Sequence, residues 1–301
     1  MSLCSVKLKS VLLNDICDVT VVLPDPPMRT AETSREYYSC GKKYKVLWLL
    51  HGGRDTLRDW TAYSNVPRLA LQYGMIIVMP NGHDSDFVNH PEFGDGYMFQ
   101  NFFCEELMPF IQNWLPASTA PEDNYLAGNS MGCAATWQYG IQHPERFGCI
   151  APLSNQPLDY RYLEEYRQMR CCDFRACINR GEMTVPAAYG AVGESIHVKE
   201  INAICKYETI GDFLDSQENT MQRFEEAAAA GRLPSIWVPC GHDPRDSKLM
   251  KFHGYCKEHN IANMYFEEYN EDTHAFSFWE KAIADFIHYL GILKVDYFIG
   301  C

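Results

Sequence analysis

Tyr125-Leu126-Ala127-Gly128-Asn129-Ser130-Met131-Gly132-Cys133 is the stretch on which the reading of this chain turns. It reads as a short strand, a tight turn and the start of a helix. The turn holds Gly128-Asn129-Ser130-Met131-Gly132, a G-x-S-x-G pentapeptide. In a nucleophile elbow the central Ser sits on a strained strand-to-helix turn, its hydroxyl exposed above a sheet. The two glycines give room that a bulky side chain would deny. Ahead of the turn, Asn124 to Ala127 suits a strand end. Behind it, Ala134, Ala135, Trp137, Gln138, Ile141 and Gln142 suit a helix that stops near His143-Pro144.

Outward from the elbow, buried strands and helices alternate. Tyr44 to Leu50 is a nearly continuous apolar run, as expected of a strand covered on both faces. It ends in His51-Gly52-Gly53-Arg54-Asp55, where a glycine pair lets backbone N–H groups face a ligand. Asp59 to Tyr73 reads as a helix, Met75 to Pro80 as a strand, and Asn81 to Tyr97 as a loop. Met98 to Leu115 reads as an amphipathic helix with Phe99, Phe102, Phe103, Leu107, Phe110, Ile111 and Trp114 on its apolar stripe. Phe147 to Ser154 is the strand after the elbow helix. Val19 to Pro24 is an early strand, and Asp25 to Lys43, rich in Pro, Thr, Ser and charge, reads as a loop.

From Gln156 to Arg232 the rhythm changes to charged, Tyr-rich and Cys-rich helical stretches. This segment, 156–232, reads as a lid-like helical insertion in a single domain spanning 1–301. As a segment its aromatics, including Tyr160, Tyr162, Tyr166, Tyr189, Tyr207 and Phe213, offer lining for an apolar acyl or aryl site, while for any single one packing in the insertion's own small core is the commoner role. Alternation then resumes with strand Ser235 to Pro239, helix Ser247 to Asn260, strand Asn263 to Tyr269 and helix Phe276 to Leu290. The pattern predicts the α/β class, with a mostly parallel central sheet and helices on both faces.

A Ser hydroxyl needs a base to take its proton and a group to orient that base. Two strand-end loops offer them. Pro239-Cys240-Gly241-His242-Asp243-Pro244 carries Asp243, and Glu271-Asp272-Thr273-His274-Ala275-Phe276 carries His274. The order Ser130, Asp243, His274 is the nucleophile–acid–base order of α/β-hydrolases. All three fall at carboxyl ends of predicted parallel strands, where ligand sites of open α/β sheets lie. Asp246 competes with Asp243 for the acid. His51, His242 and Asp272 are neighbours without an assigned role.

Composition narrows the partners. The chain has 301 residues, 47% hydrophobic and 22% charged, with a formal net charge of −13 and no Lys/Arg cluster. Such a surface repels phosphate backbones, so nucleic acid is not expected as a partner. No run approaches the roughly 18 apolar residues of a membrane span, and the N-terminus lacks an apolar core of signal-peptide length. The expectation is a cytoplasmic protein with no membrane partner. Its thirteen Cys are then expected as reduced thiols. Neither Cys171, Cys172 and Cys177 nor His253, Cys256 and His259 has the paired spacing of a structural zinc site, so no metal or cofactor is expected. The oligomeric state, homo-oligomer included, stays open.

These pieces together resemble the esterases related to tributyrin esterase, S-formylglutathione hydrolase (esterase D) and feruloyl esterase. The matching elements are Leu49-Leu50-His51-Gly52, Trp60, Val78-Met79-Pro80-Asn81, Glu105-Glu106-Leu107, Glu122-Asp123-Asn124, the elbow, His143-Pro144-Glu145-Arg146-Phe147 and His274-Ala275-Phe276-x-Phe278-Trp279. They run from about Val19 to Leu290, with little match between Pro157 and Arg232. The resemblance implies the α/β-hydrolase fold, Ser130 as nucleophile, His274 as base, and an oxyanion hole from the backbone N–H groups of Gly53 and Met131. It implies a serine ester hydrolase acting on a small-molecule ester of a short acyl, aryl, feruloyl or acetyl carbohydrate type. The enzymatic alternative is a thioester hydrolase of the S-formylglutathione type, and the non-enzymatic one is an inactive hydrolase-fold binding protein. The chain departs from the family in three ways. Cys133 stands where a second glycine is usual. Asp243 follows Gly241 by two residues where the acid commonly follows by three. The insertion has diverged.

Overall fold

A computed structural model describes residues 2–25, 31–188, 195–241, 247–271 and 274–295. Its frame is an eight-stranded sheet of order β1-β2-β4-β3-β5-β6-β7-β8. The strands are β1 (Ser2–Ser10), β2 (Asp15–Leu23), β3 (Val46–Leu50), β4 (Ile76–Pro80), β5 (Asn124–Gly128), β6 (Cys149–Pro152), β7 (Ile236–Gly241) and β8 (Met264–Tyr269). β1 and β2 pair antiparallel, β2 meets β4 antiparallel, and the strands from β4 to β8 run parallel. This is the α/β-hydrolase arrangement.

Alternate side chains of the central strands feed two separate cores, which is why their sequences are apolar throughout. Val46, Trp48 and Leu50 of β3 point to one face with Ile76, Val78 and Leu126. Leu47 and Leu49 point to the other with Ile77, Met79 and Tyr125. The first face is covered by α4 (Phe99–Asn101), a π-helical segment (Phe102–Leu107), α5 (Met108–Trp114), α6 (Met131–Gln142), α10 (Thr220–Ala229) and α11 (Ser247–Glu258). The second is covered by α2 (Asp59–Ala62), α3 (Val66–Tyr73) and α12 (Phe276–Tyr289).

Several sequence expectations shift here. The loop expected over Asp25 to Lys43 contains a helix, α1 (Ala31–Ser39), and an unforeseen edge strand, β1, precedes β2. The helix expected over Asp59 to Tyr73 breaks at Tyr63 to Asn65, and Pro67 opens its second half. The helix expected over Met98 to Leu115 exists but loosens to π geometry over Phe102–Leu107. Pro109, which has no N–H to donate, lies just beyond the loosened turn. Arg146 Nη1 donates to the Cys104 carbonyl there at 3.1 Å. Glu106 from the same turn ties down the β1–β2 hairpin, accepting from the Val11 and Leu12 N–H groups at 3.1 and 3.3 Å and from the Ser10 hydroxyl.

Between β6 and β7 the chain carries α7 (Cys171–Asn179), α8 (Val198–Ile204), α9 (Ile210–Leu214) and α10. This segment has a core of its own from Tyr160, Leu163, Phe174, Ile204, Ile210 and Phe213. The aromatics considered as lining for an acyl site therefore mostly do something else. Tyr160 and Phe213 are buried against each other, and Tyr166 and Tyr207 pack on the same cluster. Tyr162 does line a cavity, of about 440 Å³, with Pro186, Met221 and Phe252. Tyr189 lies outside the described residues. No helix among the described residues is long and apolar enough to cross a membrane.

Candidate active site

The elbow forms because β5 must turn into α6 in two residues while its backbone presses on β3. A Cβ on Gly128 would meet the Gly132 carbonyl oxygen at 2.4 Å. One on Gly132 would meet the carbonyl oxygens of Leu50 and His51 at 2.6 and 2.8 Å. Only glycine fits either place. Between them Ser130 adopts φ 49° and ψ −112°, a costly conformation for a residue with a side chain. Its own N–H is held by the Ser154 hydroxyl at 3.0 Å, from the loop after β6. Its carbonyl accepts from Cys133 N–H at 3.0 Å, so Ser130 caps α6.

Cys133, at the family's second-glycine position, is accommodated as a buried anchor. Its sulfur accepts from the Asn155 N–H at 3.3 Å, and burial pushes its thiol up to about 11. It stays a protonated packing group beside Ser130 at neutral pH.

Facing the elbow is the loop after β3. A Cβ on Gly53 would lie 3.8 Å from Met131 Cβ, so the two residues stand side by side. Met131 is the first residue of α6, whose N–H has no acceptor within the helix. His51 fixes this loop. Its Nε2 accepts from the Gly82 N–H at 2.9 Å, which leaves Nδ1 to donate to the Gly52 carbonyl at 2.8 Å. Burial lowers the pKa of this histidine, so it is a neutral strut between the loops after β3 and β4. Asp55 stands close by. Burial and then Asp59 raise its carboxyl above the ordinary value, while the Asn129 amide acts the other way.

His274 lies between β8 and α12, exposed, with its ring 5.2 Å from that of Trp279. Its loop is keyed to the one that follows β3. Phe276 packs on Trp60 at 5.5 Å, and Trp60 Nε1 donates to the Leu50 carbonyl at 3.3 Å. Asp243 and its rival Asp246, with His242 and Asp272, lie outside the described residues. Asp243 and Asp246 belong to the connection between β7 and α11. Gly241, the last residue of β7, is in register with Tyr269, the last of β8. The connections that carry Asp243 and His274 thus leave adjacent strands at the same level. Ser130, Met131 and Gly53 are brought together by observed contacts, and His274 stands on the same carboxyl edge of the sheet.

Sequence reasoning missed the charged residues that close over this site. Lys199 of α8 bridges to Asp84 at 2.7 Å and Asp86 at 3.3 Å, in the loop after β4. Burial alone would raise the Asp84 carboxyl, but the Lys199 ammonium prevails and holds it below its ordinary value. Beyond this pair opens a cavity of about 630 Å³ lined by residues such as His83, His90, Phe93, Tyr97 and Arg175. His253 and His259, weighed in sequence beside Cys256, are engaged within the protein. His253 stacks on Phe266 at 4.1 Å, and His259 Nδ1 donates to the Tyr255 carbonyl at 2.9 Å. Among the described residues no group of three or more His, Cys, Asp or Glu is placed to hold a metal ion.

With the geometry in hand, comparison with known proteins adds the following. A sequence profile of the family described as "Putative esterase" matches residues 29–288. An acetyl esterase from Caldicellulosiruptor saccharolyticus is 22% identical over 293 residues, covering 95% of this chain and 96% of its own. Among solved structures, the S-formylglutathione hydrolase of Staphylococcus aureus superposes with a TM-score of 0.68 at 20% identity, covering 96% of this chain and 98% of its own. A ferulic acid esterase superposes with a TM-score of 0.64, also at 20% identity and covering 96% of each chain.

Proposed function

The chain belongs to the "Putative esterase" family and is an esterase; on that premise we propose that it is a serine carboxylic-ester hydrolase working through an acyl-enzyme on short-chain acyl or aryl esters, acetyl and feruloyl carbohydrate esters among them. One observation carries the reading. Ser130 is forced into a left-handed conformation between two glycines that can bear no side chain. Strain of this kind costs on the order of 1–3 kcal/mol and persists where function demands the geometry.

His274 takes the Ser130 proton as the hydroxyl oxygen attacks the ester carbonyl. The N–H groups of Gly53 and Met131 receive the oxyanion as it forms. His274 then gives the proton to the leaving alcohol, and later activates the water that releases the acid. Asp243 holds the imidazole in the required tautomer. The 156–232 segment acts as a lid, reaching the elbow through Lys199. The length of the match to an acetyl esterase supports a short acyl group.

The test is hydrolysis of p-nitrophenyl esters of graded chain length, methyl ferulate, acetylated xylan and S-formylglutathione by wild type and Ser130→Ala. Turnover should fall on the order of 10⁴- to 10⁶-fold in the variant, with folding intact by circular dichroism. A variant that keeps a tenth of the activity would rule out Ser130, and a preference for S-formylglutathione would move the substrate to a thioester.

A further inference from the structure

Lys199 reaches from the first turn of α8 to the proposed oxyanion hole. Its Nζ lies 4.0 Å from Met131 Sδ. A Cβ on Gly53 would sit 3.5 Å from that Nζ and 3.2 Å from Asp84 Oδ1. A carboxylate therefore stands beside Gly53, one of the two residues whose N–H groups would receive the oxyanion, with a second, Asp86, beyond the same ammonium. Asp84 has a structural reason to be there, since it accepts from the Arg54 N–H at 3.3 Å and so holds the glycine loop. Its charge, however, opposes the charge that develops on the substrate. Lys199 lies against both carboxylates, at 2.7 Å from Asp84 and 3.3 Å from Asp86.

We infer that Lys199 is a positioning residue for catalysis. By neutralising Asp84 and Asp86, the docked insertion lets the Gly53 and Met131 N–H groups stabilise the oxyanion. The inference rests on the oxyanion hole assigned above. It gives the insertion a part in turnover that differs from shaping a pocket. Without the Lys199 ammonium the acidic pair is left uncompensated and the site is electrostatically weak.

The experiment is steady-state kinetics on p-nitrophenyl acetate with the full chain and the variants Lys199→Gln, Lys199→Arg, Asp84→Asn, Lys199→Gln/Asp84→Asn and Ser130→Ala, each with its melting temperature. Lys199→Gln should lower kcat about 10- to 100-fold with KM changed by less than about threefold. Removing the acid as well, in the double variant, should recover most of that loss, and Lys199→Arg should keep most of the wild-type rate. A purely structural ion pair would lower kcat and the melting temperature together, and Asp84→Asn alone would lower both as well. The inference fails if Lys199→Gln turns over within about twofold of wild type, or if the double variant is no faster than Lys199→Gln. Should Lys199→Gln not fold, Asp84→Asn alone decides. It should raise kcat about two- to fivefold, and a fall would overturn the inference. An active Ser130→Ala would instead sink the serine-esterase reading itself, and an inactive one beside an unaffected Lys199→Gln would sink this inference alone.

Discussion

A serine hydroxyl is a far better nucleophile at neutral pH when its base is held in one tautomer, so under the proposed triad the acid that orients His274 has a large share in the rate. In sequence Asp243 and Asp246 both fall between β7 and α11, and the strand ends that lead to them and to His274, Gly241 and Tyr269, are in register on adjacent strands. Asp243 is the nearer in sequence to the strand end. Asp243→Asn should cost about 10⁴ in kcat, and Asp246→Asn less than about tenfold, measured on the same p-nitrophenyl ester. Exchange of the two effects would move the acid to Asp246. At this scale the sequence was legible where geometry is local: the glycines around Ser130 predict a tight turn, and the structure has one. His274 was legible as a residue of the connection between β8 and α12. Lys199, Asp84 and His51 were not legible as a set. What they do depends on contacts between residues far apart in the chain, and a lysine on a short insertion helix looks like any solvated charge.

The elbow is the element on which the site depends, and its tolerance is set by β3. A methyl at Gly132 would press on the Leu50 and His51 carbonyls, which belong to the central sheet and to the strut-bearing loop. Neither can swing aside as a flexible side chain would. Gly132→Ala should therefore destabilise the fold by about 1–3 kcal/mol in urea denaturation and cut kcat at least tenfold, since any relief moves the Ser130 turn or the loop after β3. Wild-type melting and wild-type kcat together would contradict this account of the turn. The same packing explains what could be read of the elements. β3, β4 and β5 were found from apolar runs because both of their faces are covered. β1 was not, because it is an edge strand with exposed and half-buried positions in alternation and Lys7 and Lys9 among them. Nor was α1, most of whose residues are exposed to solvent.

Over the whole molecule, alternation of strands and helices foretold a mostly parallel sheet but not the order of its strands, because the β3–β4 crossover leaves no local mark. The 156–232 segment stood out by its change of rhythm, and the helices α7 to α10 fall within it. Sequence left the roles of its aromatic residues open, because tyrosines look alike whether they line a cleft or fill a small core; Tyr160 and Phe213 fill one, and Tyr162 lines a cavity. What the assembled parts claim is that Ser130 becomes covalently acylated in every turnover. Labelling the intact chain with a fluorophosphonate, followed by peptide mapping, tests this most directly. The account predicts one adduct per chain, on Ser130, with activity lost in proportion to labelling. Loss of activity with the adduct on another residue, or full activity with Ser130 fully labelled, would contradict it.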